Sequence, residues 1–139
     1  MSYLLDTNVI SELVAKRPNP QVVEWVDSHD PNSLYLSVVT LGEIRKGIEK
    51  LLPSKRRDML SEWLSSDLLV RFQGRILVLD VGVMLLWGEL TGRLERAKRQ
   101  LPAIDSLIGA LALYHSYQLV TRNEDDFKET GVSIVNPWR

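Results

Sequence analysis

The sequence has 139 residues, of which 45% are hydrophobic and 25% are charged, and its net charge at pH 7 is -1. These values are typical of one globular domain and exclude a protein that binds nucleic acid through its overall charge. The absence of cysteine excludes disulfides, thiolate chemistry and cysteine-based zinc sites. No signal peptide is visible and no apolar run approaches the roughly 18 residues of a membrane span, so we expect a cytoplasmic protein without a membrane partner.

Apolar runs alternate with helical patterns from the start of the chain. The first strand stops at Asp6, and Thr7 or Asn8 is expected to cap the helix after it. Asn19, followed by a proline, predicts the beginning of the second helix. The elements predicted for this half are a strand at 3–6, a helix at about 9–16, a helix at 20–28, a strand at 34–37 and a helix at 38–52.

The second half continues the alternation. Its predicted elements are a helix at 55–72, a strand at 76–79, helices at about 81–100 and 103–116, and strands at 119–121 and 132–135. Alternating strands and helices predict an α/β fold, with helices on both faces of a five-stranded, mainly parallel sheet. We expect a single α/β/α sandwich domain over 1–139. The helical region 38–72 either packs on that sheet or projects from it as a small clip.

Three acids occupy positions where a metal site is expected. Asp6 ends the first strand, Glu43 lies on the helix after the second strand, and Asp105 lies in the first turn of its helix. Each also has an ordinary interpretation: a helix cap for Asp6, a solvated glutamate near Lys46 for Glu43, and a favourable helix-dipole position for Asp105.

Taken together, these acids favour a metal-dependent reaction. Ligands in parallel α/β sheets bind outside the carboxyl ends of the strands, where Asn123 and Asp126 also fall. Two carboxylates about 4 Å apart repel by about 4 kcal/mol at an effective dielectric constant near 20, so a cluster of them needs a cation. Oxygen ligands without cysteine or histidine select Mg²⁺, with Mn²⁺ as the alternative. Metal-assisted hydrolysis of phosphodiester bonds is the chemistry that suits such a site.

Four segments, taken in order, resemble the PIN-domain ribonucleases, and more narrowly the VapC/FitB-type toxins of bacterial type II toxin–antitoxin systems. The segments are Leu4-Leu5-Asp6-Thr7-Asn8, Ser37-Val38-Val39-Thr40-Leu41-Gly42-Glu43, Ala103-Ile104-Asp105 and Thr121-Arg122-Asn123. The ending Val135-Asn136-Pro137-Trp138 is similar to the FitB-like branch. The resemblance spans essentially the whole chain.

This resemblance implies a Mg²⁺-dependent endoribonuclease that acts on RNA and is held inactive by a cognate antitoxin. It also implies a homodimer that joins the antitoxin in a hetero-oligomer, which reaches operator DNA through the antitoxin. By position, Asp6, Glu43 and Asp105 correspond to the metal ligands and catalytic acids. Asn123 stands where the family often has a fourth acid, and Asp126 is a candidate to replace it.

Other side chains are expected to support these acids or to contact RNA. The supporting candidates, which carry hydroxyl or amide groups, are Thr7, Asn8, Thr40, Thr121 and Asn123. The candidates for phosphate binding are the basic residues near the proposed site, Arg45, Lys46 and Arg122. Each of them can instead be an ordinary solvated charge on the surface.

Other classes of protein fit the sequence less well. A receiver-like signalling domain would usually have a lysine after its last strand, and none is present there. A dinucleotide-binding oxidoreductase would have G-x-G-x-x-G after the first strand, where Asp6 stands instead. The remaining alternative is a catalytically weak PIN-like protein that acts as a partner in a DNA-binding antitoxin complex.

Overall fold

Five short strands form one sheet in the computed structural model, which describes residues 1–139. The strands are β1 (Tyr3–Leu5), β2 (Leu34–Ser37), β3 (Ile76–Leu77), β4 (Gln118–Val120) and β5 (Ile134–Val135). Their order across the sheet is β3-β2-β1-β4-β5, and every neighbouring pair is parallel. The predicted five-stranded α/β sheet is confirmed, with β1 at its centre.

Helices connect all the strands. They are α1 (Thr7–Leu13), α2 (Pro20–Asp27), α3 (Val38–Glu49), α4 (Lys55–Glu62), α5 (Leu69–Arg71), α6 (Val81–Arg96), α7 (Ala103–His115) and α8 (Glu124–Phe127). A π-helical segment, Trp63–Leu68, joins α4 to α5. None of the helices combines the length and apolar character needed to cross a lipid bilayer.

The two faces of the sheet are covered by different helices. Successive residues of a strand point to opposite faces, so Leu4 and Leu5 enter separate hydrophobic clusters. Leu5 packs in a cluster with buried residues of α1, α2 and α3. Leu4 packs in a second cluster with α6 and α7, which includes Val83 and Ile108. These two layers confirm the predicted α/β/α sandwich.

Residues from the region 38–72 belong to the Leu5 cluster. Ile44 and Ile48 of α3 contribute to it, together with Leu64, Leu68 and Phe72. The turn between α3 and α4 lies at the surface, where Leu52 is 83% exposed. The region therefore anchors part of the core.

Three local details differ from the sequence prediction. The first helix begins at Thr7 and is capped by Asp6, whose side chain accepts the Thr7 N–H, so the cap is neither Thr7 nor Asn8. The helix predicted to reach residue 100 ends at Arg96, and Lys98 adopts a left-handed conformation with φ of 58°. A short helix, α8, forms between the last two strands, where the sequence pattern predicts no element.

Candidate active site

The register of β1 and β4 brings Asp6 and Thr121 together. Leu5 pairs with Val120 in the parallel ladder, so the residues that follow them leave the sheet side by side. The backbone N–H of Asp6 donates to the Val120 carbonyl at 2.9 Å. The Thr121 hydroxyl, which is fully buried, donates to Asp6 Oδ2 at 2.8 Å. The end of one strand thus supplies a carboxylate and the end of its neighbour supplies a donor.

Further donors fix the Asp6 carboxylate. The Thr7 backbone N–H donates to Oδ1 at 2.8 Å, and Asn8 Nδ2 donates to Oδ2 at 3.3 Å. Asn8 Nδ2 also lies 3.3 Å from Thr121 Oγ1, which in turn accepts the Asn123 backbone N–H at 3.0 Å. Asp6 is only 3% exposed, so these bonds replace most of its hydration. Four of the predicted supporting residues therefore lie around Asp6.

A chain of three hydroxyl groups leads to Glu43. The Thr7 hydroxyl donates to Glu43 Oε1 and lies 3.0 Å from Thr40 Oγ1, while Ser37 Oγ donates to Thr40 Oγ1 at 3.3 Å. Each hydroxyl has one proton to donate, so Thr40 donates to Thr7 and the bonds run in one direction, from Ser37 to Glu43. Ser37 was not among the predicted site residues. It is the last residue of β2 and the N-cap of α3, and a serine just before a helix is a sequence signal for a cap.

The acids act on one another electrostatically. Burial and, to a smaller extent, the charges of Asp6, Asp126 and Glu43 together raise the pKa of Asp105 from 3.8 to about 6. Burial also raises the pKa of Asp6, while hydrogen bonds from Thr121 and Thr7 lower it. The structure therefore places all four predicted acids within electrostatic range of one another, although Asp126 itself is exposed.

An open cavity of about 420 Å³ lies over the carboxyl ends of β1 and β4. The residues that line it are Asp6, Thr7, Asn8, Ser11, Glu12, Ala15, Glu43, Asp105, Arg122, Asn123 and Trp138. Asp126 instead lines the neighbouring depression, together with Arg122, Asn123 and Trp138. Glu12 and Trp138 were not predicted; the Glu12 carboxylate accepts the Asn19 backbone N–H at 3.0 Å.

The chemistry of this cavity fits a hard divalent cation. Its charged candidate ligand atoms are all carboxylate oxygens, and its neutral ones are hydroxyl and amide oxygens. Mg²⁺ and Mn²⁺ prefer such oxygen ligands. As they stand, no three acidic or imidazole side chains lie close enough together to hold a metal ion. The half-buried Glu43 and Asp105 would have to move toward Asp6 to share an ion with it. Burial first, and repulsion between the acids second, raise the pKa of Asp6 and Asp105, so a bound cation would favour their ionised forms.

The three basic residues proposed to contact RNA occupy different positions. Arg45 is engaged by Glu49 one helical turn away, at 3.0 Å. Lys46 lines a separate groove beside Glu43, between α3 and the start of α7. Only Arg122 lines the cavity that contains Asp6.

Comparison with known proteins identifies the family of this chain. The PIN domain family matches residues 3–132. Over 135 residues the chain is 38% identical to the toxin FitB of Neisseria gonorrhoeae, with 97% of each chain covered. It is 33% identical to a VapC ribonuclease of Sinorhizobium fredii, covering 97% of this chain and 96% of the relative.

Solved structures give the same result. The crystal structure of FitAcB from Neisseria gonorrhoeae contains a chain 37% identical to this one, with a TM-score of 0.93 and 99% of both chains covered. The structure of FitAB bound to a DNA fragment contains a chain 36% identical, also with a TM-score of 0.93, covering 99% of this chain and 96% of that one. With its parallel sheet and its acids at the carboxyl ends of the strands, this chain belongs to the PIN-domain family of nucleases.

Proposed function

We propose that this protein is the toxin of a type II toxin–antitoxin module and that it is an endoribonuclease. The observation that carries the proposal is the gathering of Asp6, Glu43 and Asp105 around one cavity, where burial and mutual repulsion raise the pKa of two of them. Relatives at 33–38% identity bear the names VapC ribonuclease and toxin FitB. The reaction is hydrolysis of RNA phosphodiester bonds.

The acids would hold Mg²⁺, with Mn²⁺ as an alternative. Asp6, Glu43 and Asp105 are the ligands, and Asp126 contributes negative charge from the rim. When bound, the ion supplies the positive charge that activates a water nucleophile and stabilises the phosphate in the transition state. The cavity is open to solvent, so RNA can reach it from outside.

Neutral groups influence the ionisation of the acids and fix the orientation of their carboxylates. Thr121, the Thr7 backbone N–H and Asn8 donate hydrogen bonds that favour the ionised form of Asp6 and fix its orientation. Thr7, supported by Thr40, holds one oxygen of Glu43 and leaves its second oxygen available. The Asn123 side chain lines the cavity while its backbone N–H fixes Thr121, so Asn123 orients the site without adding charge.

The proposed partners follow from the relatives. FitAcB and FitAB are complexes, and the FitAB structure contains a DNA fragment. By this relationship, a cognate antitoxin binds the protein and connects it to operator DNA, and the toxin itself forms a homodimer. RNA, its substrate, is found in the cytoplasm, and we place its action there.

Cleavage of RNA by the purified protein, free of antitoxin, tests the proposal. With Mg²⁺ present, we expect cleavage that EDTA abolishes and that Asp6→Asn lowers at least 100-fold, because the central ligand has lost its charge. The matched control is Asp125→Asn, which removes an exposed carboxylate outside the cavity and should leave the rate within about twofold.

The same variants test the toxin in cells. Expression of the wild-type chain should slow bacterial growth, and Asp6→Asn should not. Cleavage that survives both chelation and Asp6→Asn would disprove the metal-nuclease mechanism. A pure, folded protein without any cleavage would favour the catalytically weak partner in a DNA-binding complex.

A further inference from the structure

Arg122 is the only basic side chain that lines the acidic cavity. Four carboxylates share that lining with it: Asp6, Glu12, Glu43 and Asp105. None of them, nor any other carboxylate, lies within 4.0 Å of the Arg122 guanidinium, since the ion pairs of the protein involve Arg45, Arg57, Arg99 and Arg139. An exposed arginine beside acids that leave it unpaired is available to an anion from outside.

Trp138 holds the Arg122 guanidinium in this position. Arg122 Cζ lies 5.4 Å from the centroid of the Trp138 ring, within the range of a cation–π contact. The ring lines the same cavity and packs against the Leu5 cluster on the sheet. The backbone N–H of Arg122 is also directed at Asn8 Oδ1, at 3.4 Å. Both ends of Arg122 are thus attached to the site.

The backbone that carries Trp138 is linked to α8 through Asn136. Asn136 accepts the Trp138 backbone N–H at 2.9 Å and donates through Nδ2 to Glu124 Oε2 at 2.7 Å. Arg139 Nε forms an ion pair with the same Glu124 oxygen at 2.8 Å. Glu124 begins α8, directly after the Thr121-Arg122-Asn123 segment. Residues 136–139 are therefore fastened beside the loop whose arginine they support.

We propose that Arg122 binds an RNA phosphate at the mouth of the cavity and that Trp138 is the positioning residue that holds it there. A guanidinium matches a phosphate with two parallel hydrogen bonds, and the tryptophan contact keeps the group from collapsing onto the neighbouring carboxylates. This inference rests on the proposed function for the identity of the anion. It assigns residues 136–139 to the substrate site.

RNA binding at several salt concentrations tests the inference. The full chain is titrated with a fluorescently labelled single-stranded RNA in EDTA, and anisotropy gives the association constant. A lost phosphate contact lowers the slope of log K against log salt by about 0.7. We expect Arg122→Gln and Trp138→Ala each to produce this change, Trp138→Phe to preserve the wild-type slope, and the double variant to lose no more than Arg122→Gln alone. Arg99→Gln, which removes an arginine that is paired with Glu129 at 3.6 Å and does not line this cavity, should leave the slope unchanged.

The outcomes separate this inference from the proposed nuclease activity. Wild-type cleavage in Mg²⁺ together with an unchanged slope for Arg122→Gln would overturn the phosphate contact while leaving the nuclease intact. Additive losses in the double variant, or a loss in Trp138→Phe equal to that in Trp138→Ala, would overturn the positioning role. A protein that binds RNA with the expected slopes but does not cleave it would keep this inference and overturn the nuclease. Absence of RNA binding would overturn the inference outright.

Discussion

Asp6 is subject to two opposing effects. Burial of the carboxylate raises its pKa, and the nearby charges of Glu43 and Asp126 act in the same direction. The Thr121 hydroxyl and the Thr7 backbone N–H lower it by hydrogen bonding to the ionised form. A metal ligand must be deprotonated, so the two donors determine the pH at which the site can work.

Thr121→Val removes the hydrogen bond that lowers the Asp6 pKa the most, and it keeps the shape of the side chain. The Asp6 pKa should rise, because the charged form loses a donor while its burial remains. The acidic limb of kcat/KM for RNA should therefore move to higher pH, and activity at neutral pH should fall about 10–100-fold, as for other residues that support a metal ligand.

Thr121→Ser is the control for that variant. It keeps the hydroxyl and should retain the wild-type pH profile. A profile measured between pH 5 and 9 that is identical in Thr121→Val would show that the bond has no role in ionising Asp6.

Asp6 and Asp105 could be predicted from the sequence because Asp6 follows a strand and Asp105 lies in the first turn of a helix, whereas Glu43 lies inside α3. The positions of Asp6 and Asp105 agree with that expectation and place both in one cavity. Trp138 could not be predicted in the same way, because the contact that brings it to Arg122 depends on how residues 136–139 pack after the last strand. Sequence patterns also present helix cap and site acid as alternative roles for Asp6. In the structure the same carboxylate caps α1 and lines the cavity.

At the scale of elements, hydrophobic periodicity located every strand and long helix but not their order. Five strands with parallel connections can be arranged in several ways, and the central place of β1 becomes visible only in the paired ladders. Periodicity also missed the π-helical turn Trp63–Leu68, because the apolar residues Leu64 and Leu68 keep a spacing that an α-helix shares. The C-terminal end of α6 lies beside a left-handed residue, Lys98, whose side chain carries no signal for that conformation.

The packing of α6 on α7 gives a prediction at this scale. Two glycines of α6 differ in what surrounds them: a Cβ at Gly82 would clash with the Tyr114 hydroxyl group, whereas a Cβ at Gly88 meets no atom within 4 Å. Gly88→Ala should raise the free energy of unfolding by about 0.5–1 kcal/mol through helix propensity. Gly82→Ala should gain less or destabilise, because the Tyr114 ring has to move.

Urea unfolding of a double-mutant set measures this difference. In a Tyr114→Ala background the obstruction is gone, so Gly82→Ala should then stabilise by as much as Gly88→Ala. Equal effects of the two glycine substitutions in the wild-type background would contradict the close contact between α6 and Tyr114.

At the scale of the whole molecule, the ionised acids that the proposed function needs lower the stability of the folded protein. The Asp105 pKa is about 6 in the folded chain and 3.8 in the reference state. Between these values the folded state binds more protons than the unfolded state, so the stability of the metal-free protein falls as pH rises from about 4 to 6. Well above pH 6 the loss from this group is complete, because Asp105 is then ionised in both states, and the ionised cluster is held together at the expense of folding free energy.

Asp105→Asn should therefore stabilise the metal-free protein while abolishing cleavage. At pH 8 in EDTA the neutral amide avoids both desolvation of a charge and repulsion by Asp6, and the Tm should rise by about 2–4 °C, the change expected for roughly 1 kcal/mol. At pH 5 most Asp105 carboxyl groups in the folded wild type are still protonated and only part of the loss has occurred, so the difference between the two proteins should be smaller than at pH 8. Thermal unfolding followed by circular dichroism at both pH values gives the comparison.

Mg²⁺ should reverse the order of the two proteins. Binding to the folded state alone stabilises it by RT ln(1 + [Mg²⁺]/Kd), which is about 1.4 kcal/mol at ten times Kd. The wild type should gain this at pH 8 and much less at pH 5, where protonated Asp105 competes with the ion, and Asp105→Asn should gain little at either pH. Asp125→Asn, whose carboxylate lies outside the cavity, should respond to Mg²⁺ like the wild type. An equal Mg²⁺-induced shift in Tm in wild type and Asp105→Asn would mean that the ion binds elsewhere on the surface. The acids of this cavity would then not be its ligands.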